Sequence, residues 1–192
     1  GSDLLLYEGQ HGGVVAQTWT RRKVDLRHFP AGADRRVNAR GIDVAQYVDL
    51  LIGVVPAINL EWIQKIHRDC ARSRCTPEEA VETILRRLDD YIHYIVPQFG
   101  LTDINIQRIP LVDTSNPFIA RDVPTESECA FVVHFRDRER HDFIDLLRRI
   151  PGAQMTRATT MLIPGGALGH ALEDICAPIL ADLVGQRRAQ KQ

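Results

Sequence analysis

The feature that most constrains the fold is a strand run followed at once by a helix run. Val44 to Pro56 contains DLLIGVVP, an apolar run bounded by Gly and Pro. It reads as a central strand. Asn59 to Arg74 follows as NLEWIQKIHRDCARSR, with Asn59 as the cap of a helix. An apolar strand feeding an amphipathic helix points to an α/β layer.

The rest of the chain fits that class. Leu4 to Tyr7 is a short apolar run that predicts a buried parallel strand delivering Glu8 at its carboxyl end, with Gly9, Gly12 and Gly13 forming a turn behind it. Thr76-Pro77-Glu78-Glu79 carries a cap residue, Pro in the first turn and Glu three positions after the cap. The apolar spacing of Val81, Ile84, Leu85, Leu88, Ile92 and Ile95 extends that helix until Pro97 stops it. Strands are predicted at Ile104–Ile109, Cys129–Phe135 and Thr160–Ile163, and a short helix at Asp142–Ile150. A terminal amphipathic helix begins at Leu168 and should kink or break at Pro178. Helices and strands alternate at first and strands cluster later, which predicts a mixed sheet.

Lys65, Arg68, Asp69 and Arg72 share one stripe of the Asn59–Arg74 helix, because positions three, four and seven apart lie on one face. The chain holds 24 Lys plus Arg, of which only Lys23, Lys65 and Lys191 are Lys, so 24 − 3 = 21 are Arg. A chain that nearly always uses Arg has used Lys inside this helix. Lys is a compact point charge on a flexible stem, suited to following a phosphoryl oxygen. One carboxylate among cations suits a metal ion or a reacting hydroxyl. The bland alternative is a solvated charged face.

Longer strings surround this stripe. GVVPAINLEWIQKIHRD, YEGQHGGVV upstream, VDTSNPFIA downstream, then PQFGLTDINIQRIP and IPGG, resemble in their order the phosphoribulokinases of the bacterial type. The likeness covers nearly the whole chain except Gln17 to Arg40. It implies a P-loop-kinase-like mixed sheet with flanking helices, in a single domain over residues 3–192. It also implies transfer of the γ-phosphate of ATP, with Mg²⁺, to ribulose 5-phosphate for carbon fixation in the Calvin cycle. A homo-oligomer in the cytoplasm is the expected state of the complete enzyme.

The resemblance also assigns roles. Lys65 and Arg68 would stabilise charge on the transferring phosphoryl group, a reaction that asks a protein mainly for positioning and cationic donors. Asp69 resembles a carboxylate near the metal, and Glu8 a metal-side carboxylate. Arg74 resembles an Arg that contacts the sugar phosphate, with Arg72 as competitor. His11 and His67 lie inside matching strings, and His67 is taken as a substrate contact. His134 and Arg157 fall in segments where similar enzymes bind an activating NADH through two arginines. Here one of the two is His.

The phosphate loop GxxxxGK[ST], whose backbone amides and Lys cradle nucleotide phosphates, has no match in the chain. The expectation is therefore the carboxyl-terminal portion of such a kinase, inactive alone, as a cut piece or a shortened gene product. A uridine-kinase-like enzyme and a non-catalytic scaffold or oligomerisation module are the alternatives. Gly1-Ser2 reads as a scar of tag removal. No apolar run approaches ~18 residues, so no membrane span is expected, and no leader is visible. Cys70, Cys75, Cys129 and Cys176 form no CxxC pair and are expected as reduced thiols.

Gln17 to Arg40 carries seven basic and two acidic residues, a net 7 − 2 = +5, against a chain total of −1. It has no recognisable nucleic-acid module, and no nucleic-acid partner is expected. A solvated, mobile insertion is the expectation. Brief trypsin treatment should cut within Gln17–Arg40 while the remainder survives. Resistance equal to that of the remainder would show the segment packed against something.

Overall fold

The computed structural model describes residues 4–9, 48–73 and 75–190 of the 192. They fall into two compact units: residues 4–9, 48–51 and 89–102 in one, and 52–73, 75–88 and 103–190 in the other. The expectations for residues 10–47, including the Arg-rich segment and His11, and for Arg74 lie outside the described residues.

The larger unit is a mixed α/β arrangement, as the sequence predicts. Its elements are β1 (Ile52–Pro56), α1 (Ile58–Ser73), α2 (Pro77–Arg86), β2 (Ile104–Pro110), β3 (Cys129–Phe135), α3 (Phe143–Arg149), β4 (Gln154–Arg157), β5 (Thr160–Pro164) and α4 (Leu168–Ala189). The strands form one sheet in the order β1-β2-β3-β5-β4. β1 and β2 are parallel, from Ile52↔Ile104 to Pro56↔Arg108. The other three pairings are antiparallel. Two parallel strands end at the same edge, so α1 and the segment leaving β2 both start there. The Ala57 amide donates to the Arg108 carbonyl at 2.7 Å and ties the two exits together.

Alternation decides what is buried. Phe131, Val133 and Phe135 of β3 and Met161 and Ile163 of β5 are buried, as are Leu146 of α3 and Ala171 and Ile175 of α4. Each large apolar side chain removed from water in this way contributes about 1.5–3 kcal/mol. Arg149 joins α3 to α4 by bonding Asp145 at 2.8 Å and approaching Asp174 at 3.8 Å. A second cluster of Ile66, Ala80 and Ile84, flanked by Trp62, Val81, Cys70 and Cys75, packs α1 against α2.

Several local signals are realised as read. Thr76 and Glu79 form a reciprocal capping box, with Thr76 N–H to Glu79 Oε2 at 2.9 Å and Glu79 N–H to Thr76 Oγ1 at 3.3 Å. Asp142 caps α3 by accepting from the amides of Ile144 and Asp145.

Others are corrected. Leu4–Tyr7 is not a strand: the segment has no regular structure, and Leu5 and Leu6 are 90% and 89% exposed. Four apolar residues form a buried strand only where neighbours cover them, and none of the five described strands pairs with this run. Glu8 therefore does not stand at a strand end. β1 is shorter than predicted and lies at the edge of the described order, with Val54 69% exposed. Asn59 does not cap α1, which starts at Ile58; its side chain donates instead to the Thr114 carbonyl at 3.0 Å.

The α-helix from Thr76 ends at Arg86. A π-helical turn at Tyr91–Ile95 and a helical turn at Val96–Phe99 follow. Pro97 lies inside this helical run rather than stopping it. Pro178 lies within an unbroken α4. It is exposed there, so water can take the bond the carbonyl one turn earlier has lost.

Gly165 and Gly166 have opposite requirements. A Cβ on Gly165 would run into the Glu126 carbonyl oxygen and come within 2.7 Å of the Cys129 carbonyl oxygen, whereas one on Gly166 meets nothing within 4 Å. Gly165→Ala should lower stability by about 2 kcal/mol or more, because the 126–129 turn must move away from it. Gly166→Ala should change it by about 0.5 kcal/mol or less. Urea unfolding of the two variants checks the contrast.

Candidate functional site

α1 positions the candidate residues because one of its faces is anchored. Leu60, Ile63 and Ile66 recur every three residues and are buried, which turns Lys65, Arg68 and Asp69 away from the core. The Lys65 ammonium bonds Asp69 Oδ2 at 2.5 Å, and Arg68 Nε stands 3.7 Å from Asp69 Oδ1. Both carboxylate oxygens thus face cations. The Lys65 bond, with lesser help from the Arg68 charge, holds the Asp69 carboxyl below its ordinary value of 3.8. Pairs built to stabilise a helix favour the acid on the N-terminal side. Here Lys comes first, which separates this pair from an ordinary surface staple.

The structure brings Lys65, Arg68 and Asp69 together. Arg72 is exposed in the last turn of α1, and Glu8 belongs to the other unit. His67 Nε2 lies 3.0 Å from the Ala120 carbonyl oxygen, so that nitrogen is the donor. His134 and Arg157 both register against Thr160, from β3 and β4 on either side of β5. His134 Nδ1 lies 3.3 Å from Thr160 Oγ1.

Among the described residues, no group of three or more His, Cys, Asp or Glu side chains gathers into a metal site. Asp69, with both oxygens already facing cations, does not by itself make a Mg²⁺ site. No described helix is long and apolar enough to cross a membrane. The four cysteines are free, and burial pushes the Cys75 and Cys176 thiols up, away from reactivity.

The family model described as Phosphoribulokinase / Uridine kinase matches residues 1–115. The chain belongs to that family. It is 46% identical to a phosphoribulokinase of Sinorhizobium medicae over 97% of its own length and 56% of the relative's. It is 44% identical to the phosphoribulokinase of Xanthobacter flavus over 98% of its length and 57% of that protein. A solved phosphoribulokinase from Rhodobacter spheroides superposes with a TM-score of 0.73 at 49% identity, covering 77% of this chain and 53% of that one. The chain thus spans little more than half the length of the curated relatives it matches.

Sequence reading missed the contacts that hold α1 in place. Asn59 reaches Thr114, Trp62 stacks on Phe118 at 5.4 Å between ring centroids, and His67 reaches Ala120. TSNPF stood out as a string, but nothing local in it names a partner more than fifty residues away.

The depressed Asp69 pKa has a definite sign. A folded-state value below the unfolded one means the pair's stabilisation is complete above pH 3.8 and is lost as pH falls through the lower folded value. Asp69→Asn should cost about 0.5 kcal/mol at neutral pH for a partly exposed pair. Urea unfolding should show that difference vanish once the carboxyl is protonated. A difference that persisted in acid would mean the Lys65 bond is not its source.

Proposed function

We propose that the chain is the transfer-side portion of a phosphoribulokinase, whose full-length protein moves the γ-phosphoryl group of ATP to ribulose 5-phosphate. The observation that carries this is the Lys65–Asp69–Arg68 cluster on one face of α1, in a chain 46% identical to a curated phosphoribulokinase. Phosphoryl transfer spreads negative charge over oxygens that need cationic donors held in place. Lys65 and Arg68 are those donors. In the free site Asp69 holds both, so neither wanders among rotamers before substrate arrives. When the phosphoryl group enters, Lys65 exchanges Asp69 for a phosphoryl oxygen and Asp69 is released toward the acceptor hydroxyl.

Arg74 binds the sugar phosphate in this reading, and Glu8 stands on the metal side. Mg²⁺ supplies charge neutralisation on the nucleotide when bound. His134 and Arg157, neighbours across Thr160, are proposed as contacts for an activating NADH. A homo-oligomeric enzyme in the cytoplasm completes the reading.

The test is a coupled assay on the full-length protein with ribulose 5-phosphate and with uridine. ATP-dependent turnover of ribulose 5-phosphate is expected, with kcat lowered at least ~100-fold by Lys65→Ala or Asp69→Ala. Arg74→Ala should act mainly on KM for the sugar phosphate. Turnover of uridine alone would move the protein to the other branch of its family. ATP binding without either turnover would favour the scaffold.

A further inference from the structure

α1 is clamped by one loop at three heights. Asn59 Nδ2 donates to the Thr114 carbonyl at 3.0 Å, the Trp62 and Phe118 rings stack at 5.4 Å with 25° between planes, and His67 Nε2 meets the Ala120 carbonyl at 3.0 Å. The loop is itself stiffened: Asp113 Oδ1 accepts from the Ser115 amide at 2.8 Å and Asn116 Oδ1 from the Phe118 amide at 3.3 Å. It closes where the Leu111 amide donates to the Glu128 carbonyl at 2.7 Å. Trp62 also packs against the Ile66–Ala80–Ile84 cluster, so its ring sits between α2 and the loop. Lys65 is three residues and Asp69 seven residues beyond Trp62, on the adjoining strip of the same helix.

We propose that Trp62, Phe118 and His67 are positioning residues for phosphoryl transfer, fixing the roll of α1 and hence the place of Lys65. This rests on the kinase reading above. His67 then acts through the loop rather than on the sugar. Two carbonyl bonds and a ring stack cannot all survive a rotation of the helix about its axis. A helix released from them carries Lys65 sideways, and a misplacement of about 1 Å can cost about 100-fold in rate.

The experiment is a double-mutant cycle on the full-length protein, read by transfer of radiolabelled phosphate to ribulose 5-phosphate. Phe118→Ala should lower kcat about 30-fold and leave KM for ATP within about 3-fold. In a Lys65→Ala background the same change should cost about 3-fold or less, because the group it positions is gone. His67→Gln keeps an amide donor for Ala120 and should hold kcat within about 3-fold, whereas His67→Ala loses about 10-fold. If Phe118→Ala does not fold, Phe118→Leu is read in the same cycle. Equal losses in both backgrounds would overturn the proposal in favour of a merely structural loop. Lys65→Ala without effect on kcat would instead sink the kinase reading and this inference with it. Lys65→Ala impaired but Phe118→Ala unimpaired would sink the inference alone.

Discussion

The parallel register between β1 and β2 is the constraint on which the rest of the larger unit depends. Pairing Pro56 with Arg108 brings the end of one strand level with the end of the other. α1 leaves from the first and the 111–128 loop from the second, so both begin at one edge of the sheet. Ligands in open α/β sheets gather at the carboxyl ends of parallel strands for this reason. A slip of one residue would send alternate side chains to opposite faces and part Asn59 from Thr114. The clamp on α1 is thus a consequence of strand pairing some distance away in sequence.

The charges on α1 make sense only on that anchored helix. An exposed ion pair contributes little to stability, about 0–1 kcal/mol, and the Lys65–Asp69 order is the less favourable one for a helix. In the proposed transfer reaction its value is preorganisation. Asp69 holds Lys65 at 2.5 Å and faces Arg68 at 3.7 Å, so two cations are collected beside one carboxylate before any ligand arrives. Collecting like charges is costly without a counter-charge between them, and Asp69 supplies it. In the proposed reaction the entering phosphoryl group takes over that part.

How far the sequence reveals this differs by element. β3 is legible to the residue, because CAFVVHF alternates into a core on one face. The capping box of α2 is legible because Thr76 and Glu79 bond each other within one turn. The Lys65–Asp69 pair follows from helical spacing alone. β4 escapes because QMTR is four residues with no apolar alternation, and only its pairing with β5 makes it a strand. Leu4–Tyr7 misleads for the opposite reason, since its composition is that of a strand and none of the described strands pairs with it. Asn59 looks like a cap because Asn favours that position, yet its side chain serves a carbonyl 55 residues away. Local chemistry is readable; long-range partners are set by the register of the sheet.

The most direct measurement is a crystal structure of the full-length protein with Mg²⁺, ADP, a planar phosphoryl mimic and ribulose 5-phosphate. Lys65 Nζ and the Arg68 guanidinium should lie within hydrogen-bonding distance of the mimic's oxygens, with Asp69 parted from Lys65 and turned toward the sugar hydroxyl. An intact Lys65–Asp69 pair facing solvent, with the mimic held by other cations, would contradict the account.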